Sequence, residues 1–216
     1  MSTQKGGARQ TTMMVRLGRG FRVGALGLLH RLNLDRLITS HSERVVVSLY
    51  ALVCGGISIG VMSLAAWLSK SAFIFASLGP SAFLFFYAPR SFAAAPRSAL
   101  IGHFVGAAVG YASLYIFFGT SEIEPILHVQ MKWHYIFTAA FSLGFTSAIM
   151  VFLDSPHPPA GSTTLLVALG FMSTLEKIAY LMLAVVMLTG ISILFNRLAG
   201  IRYSIWPGKR ERMTRE

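Results

Sequence analysis

Residues Asp154-Ser155-Pro156-His157-Pro158-Pro159-Ala160-Gly161-Ser162-Thr163-Thr164 stand between two strongly apolar stretches. Pro156, Pro158 and Pro159 cannot lie inside an ordinary spanning helix without freeing backbone carbonyls. In hydrocarbon such groups are costly, so a break of this kind is tolerated where protein buries it or where it lines a cavity. It is the first place to look for a function, and its apolar flanks decide the fold class.

The rest of the chain fits a membrane setting. Of 216 residues, 54% are hydrophobic and 12% charged, and the mean hydropathy is +0.62. That is too apolar for a soluble domain of this size, and long charge-free runs point to an integral membrane protein. The net charge of +11 looks at first like a nucleic-acid signature. Its placement argues otherwise: eight of the nineteen Lys and Arg precede Val45, and six lie from Arg197 onward. Basic residues at both ends of a hydrophobic body read as topology signals and as contacts with anionic lipid headgroups. No aromatic-interleaved basic patch supports nucleic-acid binding. The single Cys54 excludes an internal disulfide and a cysteine-based metal cluster.

Working outward, six apolar segments emerge: 45–68, 71–88, 99–119, 133–153, 155–174 and 178–198. A spanning helix needs about 20 residues, which the first, third, fourth and sixth supply. The second and fifth are shorter and are interrupted by Pro80 and by the 156–159 prolines; they read either as broken spans or as re-entrant hairpins. If all six cross from a cytoplasmic N-terminus, sixteen basic residues fall on the cytoplasmic side and three, Lys70, Lys132 and Lys177, on the other. The positive-inside rule favours this over four spans with two hairpins. The expected division is a basic cytoplasmic tail over 1–42, a six-helix domain over 43–200 and a second basic tail over 201–216. Within the first tail, residues 13–37 carry Arg16, Arg19 and Arg22 on one stripe and Leu17, Phe21, Leu28 and Leu32 largely on another. That fits an amphipathic helix lying on the membrane; a cleaved transit peptide or a solvated tail is the rival reading.

The six segments form two triplets, each a long helix, a proline-broken short one and another long helix. Leu78-Gly79-Pro80-Ser81-Ala82 occupies in the first the place of His157-Pro158-Pro159-Ala160-Gly161 in the second. With an odd number of crossings per triplet, the second is inverted relative to the first, an architecture that recurs in transporters with binding near the midplane. The expected fold is thus all-α, with six transmembrane segments in two inverted three-helix repeats. Each proline is suited to the first turn of a new helix. The unpaired N–H groups and positive dipole ends of two such helices, facing inward, would make an anion site. Gly79, Pro80 and Ser81 on one side, and Pro158, Pro159, Ala160, Gly161, Ser162 and Thr163 on the other, are its expected lining, with Thr164 a further hydroxyl donor nearby. A pair of proline kinks filled by neighbouring side chains is the structural alternative.

His103, expected about one turn inside the third segment, and His157 join this set. Ionisable residues within spans are expensive and face a cavity or a partner. An imidazole can bind an anion when protonated or couple its passage to a proton; a neutral His donating to a freed carbonyl is the plainer reading. Asp154 is expected to cap a turn or pair with Arg90 or Arg97, and Arg97 to act as an orientation charge. Gly102, Gly106 and Gly110 lie four apart and let another helix approach closely, within the chain or from a second copy; Gly56 and Gly60 repeat the spacing. The sequence holds no His-Glu-x-x-His pair, no Gly-x-Ser-x-Gly elbow and no phosphate loop, so neither an enzyme nor a bound metal or cofactor is expected.

The stretch Leu78-Gly79-Pro80-Ser81-Ala82, then Ala95-Pro96-Arg97 leading to Ile101-Gly102-His103, then Asp154 through Gly161 with His157-Pro158-Pro159, resembles the HPP family of integral membrane proteins. The resemblance covers roughly residues 44–198. It departs from the family pattern at Ala95, where a Gln often precedes the Pro-Arg pair. It implies a helical membrane protein, and some members in cyanobacteria and plastids are associated with nitrite transport. The expectation is therefore a bacterial inner-membrane permease or channel for a small inorganic anion, nitrite leading, with both termini cytoplasmic. A non-transporting scaffold that binds other helices is the alternative.

Overall fold

The computed structural model describes residues 33–70, 75–119 and 133–206. Its α-helices are α1 (Leu34–Ser40), α2 (Glu43–Ser69), α3 (Leu78–Tyr87), α4 (Pro96–Phe118), α5 (Trp133–Phe152), α6 (Ala160–Ala168) and α7 (Leu175–Leu198), with a 3-10 turn at Phe92–Ala94. The amphipathic reading of 13–37 falls outside the described residues apart from its last part, which enters α1, and 207–216 lie outside them too.

Helices α2, α4, α5 and α7 are long and apolar enough to cross a membrane. At 1.5 Å per residue the shortest of them is ~30 Å long, the thickness of a hydrocarbon core. Their ends follow local chemistry. Pro96 sits in the first turn of α4, where its missing N–H costs nothing. Thr174 caps α7 by accepting from the Lys177 N–H. Large apolar side chains such as Leu52, Leu64, Trp67 and Phe152 are exposed. In water that surface would drive aggregation; in a bilayer it meets acyl chains.

The second and fifth segments differ from the sequence expectation. They are not helical along their length: α3 has ten residues and α6 nine, which is ~15 Å each, half a membrane. Helix α6 starts only after the last proline. Helix α3 begins at Leu78, so Pro80 lies inside its first turn, as expected of a proline that opens a helix.

Helix α6 is seated on the glycine ridge of α4. A Cβ added at Gly102 would lie 2.9 Å from His157 Cβ; at Gly106, 2.8 Å from the Ala160 carbonyl; at Gly110, 2.8 Å from the Thr164 carbonyl. The ridge therefore serves an internal partner, and the matched order of contacts sets α4 and α6 parallel. Among the described residues, no neighbouring atom lies within 4 Å of a Cβ added at Gly56 or Gly60. On the other side of the bundle, Met62, Leu78, Phe85, Phe86, Leu181, Val185 and Leu188 from α2, α3 and α7 form the main apolar core.

One end of the bundle is tied together by polar contacts. Arg90 Nη2 meets both carboxylate oxygens of Asp35, at 2.6 and 2.7 Å. The Arg97 guanidinium donates to the Asp154 and Leu153 carbonyls at 2.9 and 3.2 Å and lies over the Trp206 ring. Leu34 N–H donates to the Ala199 carbonyl, Arg97 N–H to that of Ile205, and Tyr203 O–H to that of Ala94. The start of α2, the α3–α4 connection, the end of α5 and the end of α7 thus share one end. Asp154 does not enter through its carboxylate: it offers Arg97 its carbonyl, and the arginine acts as a clamp on the α5 end.

Candidate functional site

The prolines decide how α6 starts. The N–H groups of Ala160, Gly161 and Ser162 donate to the carbonyls of His157, Pro158 and Pro159 at 2.9, 3.0 and 3.1 Å. Two of the preceding residues are prolines and have no N–H. The expected fan of free backbone donors after Pro159 is therefore absent, because the turn that opens α6 consumes them. What the turn does instead is deliver His157 into the interior, fully buried.

There it meets groups from three other elements. Ser81 Oγ lies 2.9 Å from His103 Nε2 and 3.1 Å from His157 Nε2. His103 Nδ1 lies 2.7 Å from Thr163 Oγ1, and His157 Nδ1 is 2.7 Å from the Ala93 carbonyl oxygen. All four side chains are buried, none more than 1% exposed. Phe85 stacks against His157 on one side, with ring centroids 5.9 Å apart. The sense of the hydrogen bonds follows from the chemistry of the ends. A carbonyl only accepts, so His157 Nδ1 carries hydrogen. In the uncharged cluster His157 Nε2 then accepts from the Ser81 hydroxyl, Ser81 accepts from His103 Nε2–H, and His103 Nδ1 accepts from Thr163 O–H.

Ser81 and Thr163 are each the fourth residue of a short helix, α3 and α6, and one imidazole joins them. The beginnings of both helices thus converge on His103. That residue is the eighth of α4, ~10 Å along a helix ~35 Å long. The meeting point is nearer the tied end of the bundle than the expected midplane. Of the other residues expected to line the site, Pro159 and Ala160 are buried beside it and Gly161 is half-buried; Gly79, Pro80, Pro158 and Ser162 are exposed and make no part of the cluster.

Several participants were not anticipated. Thr164 Oγ1 donates to Thr146 Oγ1 at 3.1 Å, and Thr138, Ser142 and Thr146 form a buried hydroxyl line on α5; their four-residue spacing was the available signal. Asn196 is fully buried, accepting from Tyr50 O–H at 2.8 Å and donating to the Phe85 carbonyl at 3.2 Å. A lone amide in an apolar run was its signal. Ser77, the residue before α3, is buried, and its hydroxyl has no hydrogen-bond partner.

Four apolar spanning-length helices around a buried histidine and hydroxyl centre define an all-helical integral membrane protein. The transmembrane-region model of the HPP family matches residues 40–204, and the chain belongs to that family. It is also similar to a transmembrane protein of Dictyostelium discoideum, 29% identical over 94 residues. That match takes in 44% of this chain, and the chain spans only 29% of the length of that relative. No solved structure matches.

Proposed function

We propose that this protein is a permease or channel for a small inorganic anion, with nitrite the leading candidate, and that the Ser81–His103–His157–Thr163 cluster is where the anion is held. The observation that carries the reading is the convergence of the first turns of α3 and α6 on one buried imidazole. The positive ends of two helix dipoles then act at a single point, which favours an anion there. Hydroxyl and imidazole N–H groups that now bond one another supply the donors when the anion separates them. The unspent Ser77 hydroxyl before α3 adds another.

The topology proposed with it has six traverses in two inverted triplets, with α3 and α6 as the short helical parts of the second and fifth. Its support is the tied end: Arg90, three residues after α3, pairs with Asp35 of α1, the helix that leads into α2, and a return crossing by the second segment accounts for that contact. The basic tails support an orientation with both termini cytoplasmic, and a bacterial inner membrane is the setting we propose. The same tails support contact with anionic lipids. The reading assigns the protein transport rather than catalysis, and self-association would use faces other than the ridge filled by α6. Of the two glycine ridges that would serve a scaffold role, the one on α4 is filled internally by α6, while the Gly56–Gly60 face of α2 stays open. Uptake of nitrite and of a panel of other small anions into proteoliposomes tests the reading. Saturable uptake that falls in His103→Ala and His157→Ala supports it; uptake no greater than in protein-free vesicles refutes it.

A further inference from the structure

We propose that the cluster is also a proton relay, so that the anion moves together with one proton; this rests on the anion-transport reading above. Most hydroxyls in the helices donate to a carbonyl of their own helix, as Ser58, Ser113, Thr138 and Thr189 do. Ser81 and Thr163 do not. They face imidazole nitrogens, and the result is an unbroken series Thr163–His103–Ser81–His157–Ala93 across four elements. Every side chain in it is a hydroxyl or an imidazole, and each of these can both give and take a proton. An amide, a guanidinium or an ammonium anywhere in the series would block transfer.

The proton count closes. A proton arriving on His103 Nδ1 makes that ring a cation, and the Thr163 hydroxyl turns from donor to acceptor. His103 then passes its Nε2 proton to Ser81 Oγ, and Ser81 passes its own to His157 Nε2. The charge is now on His157, and His103 is neutral in its other tautomer. His157 releases the proton from Nδ1 once water replaces the Ala93 carbonyl, which leaves both imidazoles in their opposite tautomers; proton exchange of each ring with water admitted to the site, together with rotation of the hydroxyls, resets the series. Among the described residues only Ser81 hydrogen-bonds to both imidazoles, so it is the indispensable link.

The surroundings supply the coupling. Helix α3 presents Ser81 and Phe85 to the pair, α6 presents Thr163, and the 3-10 turn presents a carbonyl. On α4 the next charged group is Arg97, whose two terminal guanidinium nitrogens donate to the Asp154 and Leu153 carbonyls while its Nε makes no hydrogen bond. Among the described residues no carboxylate hydrogen-bonds to either imidazole. A buried cation without a counter-charge is costly, and the two helix ends raise that cost further. An anion in the site removes it, and the proton in turn neutralises the anion for passage.

The test uses the full chain in proteoliposomes, with membrane potential set by potassium and valinomycin and internal pH read from a trapped dye. Protein-free vesicles give the background from undissociated nitrous acid crossing the lipid. Wild-type protein is expected to bring in one proton with each nitrite, to be driven by an inward proton gradient and to ignore the sign of the potential. Ser81→Ala is expected to lower gradient-driven uptake about tenfold, the effect of one lost hydrogen bond, and Ser81→Thr to restore most of it. Uptake that follows the potential and carries no proton would overturn the relay and leave the anion site standing. Absence of uptake under every gradient would overturn both.

Discussion

Ser81 and Thr163 hold equivalent places, each the fourth residue of a short helix, and His103 receives them on its two ring nitrogens at 2.9 and 2.7 Å. The two proline-interrupted segments legible in the sequence thus meet at one centre. The equivalence is one of position and chemistry, a hydroxyl one turn inside each helix. Replacing Thr163 by Val keeps the shape and removes the hydroxyl, leaving His103 Nδ1 buried without its donor. The expected cost is about 1–3 kcal/mol, read as a lower melting temperature in detergent, together with loss of anion uptake.

Ser77 offers the opposite balance. Its hydroxyl is buried and makes no hydrogen bond, so removing it relieves an unsatisfied group. Ser77→Ala is expected to leave stability unchanged or raised while anion uptake falls. A fall in both would show that the hydroxyl has a structural role.

Gly106 is the tightest point under α6. Its missing methyl would stand 2.7 Å from Thr164 Oγ1 and 2.8 Å from the Ala160 carbonyl, and the second of these is backbone. Overpacking of this kind costs about 1–3 kcal/mol, so Gly106→Ala is expected to melt earlier and to lose uptake as α6 shifts. Gly60→Ala, with open space around it, is expected to do neither. Comparing melting curves of the two variants checks this.

At the tied end, Tyr203 donates to the Ala94 carbonyl at 2.6 Å, next to the Ala93 carbonyl that holds His157. Burial pushes its phenol up to about 12. A group whose folded-state value is raised stabilises fully below its unfolded value, about 10, and that contribution is lost as pH rises toward 12. Wild-type protein is therefore expected to lose more stability than Tyr203→Phe between those limits, in melting curves taken across alkaline pH. The Asp35–Arg90 pair at the same end is more than half exposed on both sides. Such pairs contribute ~0–1 kcal/mol, so Asp35→Asn is expected to leave the melting temperature nearly unchanged.

The four long helices were legible because length and hydropathy suffice for them; each observed end falls within three residues of its apolar run. The short helices were legible as interruptions but not as boundaries, since proline forbids a donor without saying which residue starts the next turn. His103, His157, Ser81 and Thr163 were all identifiable, by the cost of burying imidazole and by the matched breaks. The free backbone donors after Pro159 were not to be had, because the turn there closes on itself. Asn196, Thr146 and the Ala93 carbonyl went unseen for a different reason: each acts through a partner more than ten residues away, which local pattern does not encode.

The most direct measurement is nitrite uptake into proteoliposomes by wild-type protein beside a His157→Ala variant that keeps its helical content. A buried centre that holds the anion requires saturable wild-type uptake and at least about a tenfold loss in the variant, the effect of ~1.4 kcal/mol. Equal uptake by the two proteins would contradict it.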